Sequence, residues 1–289
     1  MKNVILWILL ALLWSSSFLA IKLGVKTISP LNLVAMRMLI GTTVIFITLR
    51  SKSLSLPTDG KSWMILFISG MTGNIIPFYL ISIGEQHVES GLTALLMGIV
   101  PVVTVLLAPL AHHDEKLTLP AIVGITVGMT GLIILVGPGV LQGFSLHVTG
   151  QLFILGAALC YAFTVLFVRK YASLPALVMA AGSMLVGTMV ITVSAFVFQN
   201  PLQASLPSAQ SIGAVIYLGL FPTALATLIY FYLVPRLGAA RMSQVNFVVP
   251  VAGTFLGVVF LGEPFSADAF LALLMILVAV YLVSRRAHD

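Results

Sequence analysis

Polar and aromatic side chains that could bind a small solute recur within otherwise apolar stretches of this sequence. Trp14 and Ser17 are three residues apart, and Tyr161 and Thr164 repeat that spacing later in the chain. Residues three apart lie on the same face of a helix, so each pair could present one ring and one hydroxyl to a ligand. Rings and hydroxyls with few charges favour neutral or zwitterionic solutes over phosphates, which need clustered Lys and Arg. The small residues Ser15 and Ser16, which lie between Trp14 and Ser17, are expected to permit close helix packing rather than to bind a ligand.

Further candidates lie in two apolar stretches that contain proline. Asn74 and Tyr79 flank Pro77, and Tyr230 follows Pro222. Proline removes a backbone donor and frees the carbonyl four residues earlier for a side chain, a water molecule or a ligand. Such a break is tolerated at membrane depth where it faces protein or a wet cavity. The alternative is simple bending of the helix, with the tyrosines at the membrane interface.

A polar run and a second pair of prolines complete the set of candidates. Gln244 and Asn246 lie just inside an apolar stretch, and because buried amides without partners are costly, we expect them to face a cavity or another helix. Pro101 and Pro250 occupy matched positions in the fourth and ninth predicted spans and are candidates for gating. The alternative is that they are ordinary prolines of membrane helices, which are common. The predicted gating or helix-break residues are Pro77, Pro101, Pro222 and Pro250. The predicted substrate-binding residues are Trp14, Ser17, Asn74, Tyr79, Met97, Tyr161, Thr164, Tyr230, Gln244 and Asn246.

Ionisable residues contribute little chemistry to the predicted spans. Arg37 lies a few residues inside the second span, where it could pair with a ligand carboxylate, but we expect it to reach the outer headgroups or helix-end carbonyls. The 8 acidic residues fall at span ends or in loops, whereas a proton-driven carrier usually has a buried acid or histidine. Glu115 and Glu263 are predicted to interact with the N-termini of the fifth and tenth helices, where negative charge is favoured.

Several functional classes lack the motifs that they require. The sequence has no G-x-x-x-x-G-K-[ST], H-E-x-x-H or G-x-S-x-G motif, which excludes an ATP-driven pump within this chain and two hydrolase classes. The single cysteine, Cys160, excludes disulfides and Cys-based metal sites within the chain. His112, His113 and Asp114 could bind a metal, but adjacent histidines on a helix cannot both face one ion, so we expect a solvated loop. No metal and no cofactor is predicted.

The composition is that of a membrane protein. Of 289 residues, 60% are hydrophobic and 8% charged, whereas about a quarter of the residues of soluble domains are charged. The apolar runs at 4–13, 65–73 and 270–283 are continuous rather than alternating, so the backbone must satisfy its hydrogen bonds in helices rather than in a barrel. The predicted spans are 4–22, 31–49, 63–83, 91–109, 119–137, 150–168, 175–198, 211–233, 241–261 and 266–284.

Basic residues are distributed unevenly among the predicted loops. The chain carries 14 Lys and Arg against 8 Asp and Glu, a net charge of +6. If the N-terminus is inside, all Lys and Arg except Lys22, Lys26 and Arg37 fall on that side, as the positive-inside rule requires. Both termini are therefore predicted to be cytoplasmic, and the charge needs no nucleic-acid partner. The first apolar run could pass for a signal peptide, but we expect it to remain as a span.

The chain shows a weak internal repeat. Pro101 corresponds to Pro250, and Glu115 to Glu263, at nearly constant separation. Residues 1–142 and 147–289 are therefore predicted to be duplicated units of one structure. Because five spans are an odd number, the second unit must enter the membrane from the other side, as in many secondary transporters. The predicted fold class is an all-α integral membrane protein with ten transmembrane helices, arranged as two inverted five-helix repeats.

Several motifs resemble those of a known family. They are WSSSFLAIK at 14–22, Pro30 with Arg37 around the start of the second helix, Pro101 followed by Glu115, and Pro250 followed by LGEPF at 261–265. Their order is similar to that of the EamA branch of the drug/metabolite transporter superfamily, over nearly the whole chain and in two copies. Ser15 departs from the glycine common in that family, and CYAF at 160–163 replaces the opening Trp in the second copy.

The resemblance implies a central pocket between the halves and export of small metabolites or amino acids, with exporters of the YddG type as the nearest members. We therefore predict a secondary transporter, not an enzyme, that exports amino acids or similar small neutral or zwitterionic metabolites by alternating access across a bacterial inner membrane. Export of drugs or other metabolites is the alternative within the family. A channel or an intramembrane lipid enzyme is the alternative outside it. The predicted partners are a small-molecule substrate and the lipid bilayer, and a homodimer is left open.

Overall fold

A computed structural model describes residues 1–111, 117–141, 145–171, 173–199, 206–243 and 245–284. Within these ranges all regular structure is helical. Nine helical segments among the described residues are long and apolar enough to cross a membrane, with Gly60–His87, Ser90–Ala111 and Ala209–Leu233 each counted as one segment, and Val245–Leu261 is a shorter apolar helix. This is the outcome that continuous apolar runs predict, because a helix satisfies its backbone polar groups without water.

The helices follow the predicted spans closely. In the first half they are α1 (Lys2–Gly24), α2 (Pro30–Ser51), α3 (Gly60–Gly70), α4 (Ile76–His87), α5 (Ser90–Met97), α6 (Val100–Ala111) and α7 (Leu119–Leu141). In the second half they are α8 (Leu146–Tyr171), α9 (Ala176–Gln199), α10 (Ala209–Leu218), α11 (Ala226–Ser243), α12 (Val245–Leu261) and α13 (Ala267–Ser284). The ninth predicted span, 241–261, begins later than expected, because residues up to Ser243 continue α11.

Two of the long helices contain a π-helical turn. Met71–Ile75 joins α3 to α4, and Gly219–Leu225 joins α10 to α11. Pro77 is the second residue of α4, directly after the first π turn, and Pro222 lies inside the second. A π turn is rare, occurs often at functional sites and is a recognised cause of helix kinks.

The matched prolines Pro101 and Pro250 have different surroundings. Pro101 is the second residue of α6, which follows a break at Gly98 and Ile99, whereas Pro250 lies within the unbroken helix α12. The break and the second proline meet in space, since a Cβ on Gly98 would lie 2.8 Å from Pro250 Cγ. A glycine is therefore required where α12 crosses the gap between α5 and α6.

Local signals set where several helices begin. Pro30 opens α2 directly after Ser29, a position where its missing N–H costs nothing. The Asp59 carboxylate accepts a hydrogen bond from Ser62 N at 2.8 Å and caps α3. That bond lowers the pKa of the Asp59 carboxyl below its ordinary value.

The two halves pack through reciprocal helix pairs. Helix α1 packs on α12, and α8, which begins the second half, packs on α5 and α6. Helix α4 packs on α8, just as α10 and α11 pack on α1. Three further pairs join helices at corresponding places in the two halves, α2 with α9, α5 with α12 and α7 with α13. Exchanging the halves therefore maps these pairs onto one another.

Candidate substrate-binding site

A buried arginine lies between the two halves. Arg37 is on α2 and only 4% exposed, and its Nε donates a hydrogen bond to Thr223 Oγ1 at 2.7 Å. Its guanidinium carbon lies 3.8 Å from the centre of the Phe78 ring, within the range of a cation–π contact. The expectation that Arg37 reaches the outer headgroups is therefore wrong, because a hydroxyl and a ring inside the protein hold it there.

Two further groups lie within electrostatic range of the Arg37 guanidinium, the Tyr161 hydroxyl and the Glu85 carboxyl. Tyr161 belongs to α8 and Glu85 to α4. We call Arg37, Phe78, Tyr161 and Thr223 the Arg37 site. The Arg37 site contains residues of both halves, since Arg37 and Phe78 belong to the first half and Tyr161 and Thr223 to the second.

The two π turns carry polar residues into the middle of the protein. Thr223, which binds Arg37, lies in the second π turn, and Asn74 lies in the first and is partly buried. The first π turn packs against α8 and α9. Thr72 in that turn accepts a hydrogen bond from Thr164 of α8 at 2.7 Å. Thr164 also contacts the carbonyl of Cys160 at 2.8 Å, so its hydroxyl is engaged within the protein.

The predicted aromatic residues divide between two neighbouring clusters. The rings of Trp14 and Tyr230 lie 5.8 Å apart with their planes tilted by 40°, a favourable distance for two aromatic rings. Tyr79, Met97 and Tyr161 instead pack around the central hydrophobic core. The aromatic residues predicted from sequence therefore belong to two hydrophobic clusters and not to one.

The remaining predicted residues are less informative. Ser17 is buried, and its hydroxyl donates to the Trp14 carbonyl at 2.6 Å, which leaves its proton engaged. Asn246 is partly buried in the first turn of α12. Gln244 lies outside the described residues, as do Glu115 and the stretch 112–114.

Two recesses open at the end of the protein where α4 ends and α5 begins. The larger holds about 280 Å³ and the smaller about 230 Å³. The larger is bordered by acidic and polar groups, including Glu89, His147, Gln151, Glu263 and Asp268. None of the predicted substrate-binding residues borders either recess.

Side chains from both halves fix this end of the protein. Glu263, which precedes α13, accepts hydrogen bonds from the backbone N–H groups of Ser90 and Gly91 at 2.8 and 2.7 Å. Lys22 of α1 donates to the carbonyls of Glu85 and Val88 at 2.7 Å each. Glu263 therefore caps α5, and the expectation that it interacts with the start of the tenth helix is wrong.

Sequence reasoning left out Thr223 and Glu85, and it considered Arg37 as a carboxylate partner but preferred the outer headgroups for it. The signal for Arg37 was present, because a charge inside an apolar span is by default a functional candidate. Thr223 and Glu85 carried no comparable signal, since their partners lie on helices distant in sequence. Among the described residues no group of three or more His, Cys, Asp or Glu could hold a metal ion.

The fold and the site define a helical membrane protein with a polar centre between its halves, and comparison with known proteins places it in a family. A model of the EamA-like transporter family matches residues 1–137 and again 148–285. The chain belongs to this family, as its motifs predicted, and it is a multi-pass inner membrane transporter.

Individual relatives are similar along nearly their whole length. Protein PagO of Salmonella typhimurium is 27% identical over 281 residues, covering 96% of this chain and 91% of PagO. The inner membrane transporter YedA of Escherichia coli is 29% identical, covering 95% and 88%. Transporter YoaV of Bacillus subtilis is 25% identical, covering 98% and 97%. One crystal structure is similar with a TM-score of 0.70 at 20% identity, covering 100% of this chain and 99% of that one. At this identity, the similarity supports the fold and no particular function.

Proposed function

We propose that this protein is a secondary transporter that exports amino acids or similar small zwitterionic metabolites across a bacterial inner membrane by alternating access. The observation that carries the proposal is the Arg37 guanidinium, which is buried between the halves and stacked on Phe78. The YddG-type assignment belongs to this proposal, because the relatives are named only as transporters or not by function.

The chemistry of Arg37 favours a carboxylate ligand. A guanidinium has five N–H donors in a rigid fork that matches a carboxylate. Its bond to Thr223 uses Nε, whereas the two terminal nitrogens form the side of the fork that binds a carboxylate. A buried arginine therefore provides a fixed positive charge between the halves, which is what a solute with one carboxylate needs. The nearby rings would favour an otherwise compact and uncharged solute.

The packing of the halves supports a rocking motion. The reciprocal helix pairs are those expected of two units related by an axis in the membrane plane, and such repeats rock around a shared site in other carriers. We therefore keep residues 1–142 and 147–289 as two inverted units within the proposal, with both termini cytoplasmic. In that arrangement the Arg37 site lies at the junction that has to open alternately to either face.

The test is flux from proteoliposomes that contain the purified protein and are loaded with a panel of labelled amino acids. We expect saturable efflux that discriminates between L and D forms. A channel would give flux that neither saturates nor distinguishes the forms. Rates equal to those of protein-free vesicles across the whole panel would refute the proposal.

A further inference from the structure

One buried carboxyl group, that of Glu85, is not part of the Arg37 site. Glu85, in the last turn of α4, is 0% exposed. Neither of its carboxyl oxygens has a hydrogen-bond partner among the described residues. Every other acid whose side chain is described is at least partly exposed, so Glu85 is a singular group there and requires an explanation.

Two donors that act on Glu85 form hydrogen bonds to backbone carbonyls. Lys22 Nζ binds the backbone carbonyls of Glu85 and Val88 rather than the carboxyl. The Thr93 hydroxyl lies close to Glu85, but its one proton goes to the carbonyl of Glu89 at 3.0 Å. The bonds of Lys22 and Thr93 to carbonyls therefore leave the carboxyl of Glu85 without a hydrogen bond in the described residues.

Charged groups face Glu85 from several elements. Lys22 on α1 and Arg37 on α2 act on it electrostatically, and so does the like charge of Glu263 before α13. Lys26 borders the smaller of the two recesses, as Glu85 does. His147 on α8 lies close to the end of α4, with Nδ1 3.0 Å from the His87 carbonyl. Tyr161 on α8 is within range of the same arginine.

A carboxylate that is fully buried and makes no hydrogen bond is unstable. Burial without hydrogen bonds disfavours the ion so strongly that a buried acid takes up a proton or finds a cation. The C-terminal end of a helix also repels negative charge. Glu85 lies at the edge of the smaller recess together with Lys22 and Lys26. A change of side-chain conformation would therefore bring its buried carboxyl to that recess, where it exchanges a proton with solvent.

Arg37 carries a positive charge, and Glu85 carries a negative charge when it has lost its proton. The two groups lie within electrostatic range of each other. An amino acid has the complementary pair, a carboxylate and an ammonium group. With its carboxylate on Arg37, its ammonium group can take the place of the proton on Glu85. The carboxyl oxygens of Glu85 are free to accept from that ammonium group.

We propose that Glu85 is a cation site occupied in turn by a proton and by the ammonium group of the exported solute, which couples export to proton entry. Binding of the solute converts the carboxylic acid to a carboxylate and releases one proton to the water on that face. The ammonium part of the inference rests on the proposed function, whereas proton binding by Glu85 does not.

The proton site is tested on the purified protein without any solute. Infrared difference spectra between alkaline and acidic pH should show a buried carboxylic-acid band that is lost in Glu85→Gln. Glu89→Gln is the matched control, because Glu89 is an acid four residues away with a side chain 36% exposed, and it should keep the band. A band unchanged in Glu85→Gln would overturn the proposal, whatever the transport result.

The coupling is tested in proteoliposomes with the membrane potential clamped to zero by valinomycin and potassium. The probe is the labelled amino acid with the highest flux in the panel. An inwardly directed proton gradient should drive its export against a concentration ratio of up to about tenfold per pH unit for one proton per solute. Glu85→Gln should lose this accumulation and should exchange labelled for unlabelled solute with a raised KM, because an amide carries no charge to pair with the ammonium group, while Glu89→Gln keeps both activities.

The outcomes separate the two proposals. An equal gradient response in wild type and a folded Glu85→Gln variant would overturn coupling at Glu85. Glu85→Asp, which keeps the carboxyl, should respond to the gradient and serves if the Gln variant does not fold. If no amino acid shows saturable flux, the proposed function fails, and the infrared band alone decides whether Glu85 binds a proton.

Discussion

Glu263 accepts two hydrogen bonds from Ser90, from its backbone N–H at 2.8 Å and from its hydroxyl at 2.9 Å, although 173 residues separate them in sequence. One carboxylate of the second half thereby caps helix α5 of the first half. Since Gly91 N–H also binds it at 2.7 Å, the cap joins the two halves at one end of the protein.

Replacing Glu263 by Ala is expected to destabilise the protein. Loss of a helix cap costs about 0.5–2 kcal/mol, and a charged acceptor puts the effect toward the upper end of that range. The thermal midpoint in detergent, followed by size-exclusion chromatography, should fall clearly. Asp268→Asn removes an exposed acid near the start of α13 and should leave the midpoint almost unchanged. Equal midpoints for Glu263→Ala and wild type would show that the cap contributes no stability.

Substitutions of Arg37 are expected to weaken solute binding more than turnover. Arg37→Lys keeps the charge but loses the planar fork, and hydrogen bonds to charged groups contribute about 1.5–3 kcal/mol. The KM for the transported amino acid should therefore rise by roughly tenfold or more. Arg50→Lys is the matched control, since Arg50 is exposed on the same helix over the Phe46 ring. An unchanged KM in a folded Arg37→Lys variant would remove Arg37 from the binding site.

Trp14→Ala is expected to raise KM by a smaller factor. Aromatic contacts such as that of Trp14 with Tyr230 contribute about 0.5–1.5 kcal/mol, so a change of a few-fold up to roughly tenfold is expected, and Trp14→Phe should recover part of it. Phe198→Ala, at a ring that is 78% exposed, controls for loss of an aromatic residue. Transport kinetics identical to wild type would exclude Trp14 from the pocket wall.

Gly70→Ala tests the close approach of α3 and α9. A Cβ at Gly70 would lie 2.5 Å from the backbone oxygen of Ser183, which cannot rotate away. Overpacking of this kind costs about 1–3 kcal/mol, so the thermal midpoint should fall. Gly213→Ala adds a methyl group with nothing within 4 Å and should be neutral or slightly stabilising, because Ala favours a helix. A stable Gly70→Ala variant would contradict the packing of these two helices.

The orientation of the halves is tested by reporters fused after residue 142 and at the C-terminus. Alkaline phosphatase should be active only at the first position and green fluorescent protein only at the second, because five spans separate them. Both reporters active on one face would refute the inverted arrangement, and with it the rocking mechanism.

Much of the fold could be read from the sequence because a bilayer allows so few solutions. The continuous apolar runs predicted most spans within a few residues, as for α1 and α2. Local reasoning failed where a helix end binds a distant partner. Glu263 was assigned to the nearest following helix, whereas three-dimensional packing brings it to Ser90.

The site was harder to predict for the same reason. Arg37 is buried because Thr223 and Phe78 hold it, and neither partner is near it in sequence. Glu85 was correctly placed near a span end, but a position near an end does not reveal burial. Sequence spacing identifies which residues share a helix face, whereas the neighbours opposite that face depend on how the halves meet.

The π turns give two long helices an adjustable joint. A π turn closes its hydrogen bonds over one more residue than an α turn does. If one residue of the π turn joins the helix that follows, the π turn becomes an ordinary α turn. Because an α-helix has 3.6 residues per turn, such a step rotates everything beyond the joint by about 100°. Tyr79 lies beyond one joint and Tyr230 beyond the other. Such a step would therefore turn both rings about their helix axes, toward or away from the centre of the protein.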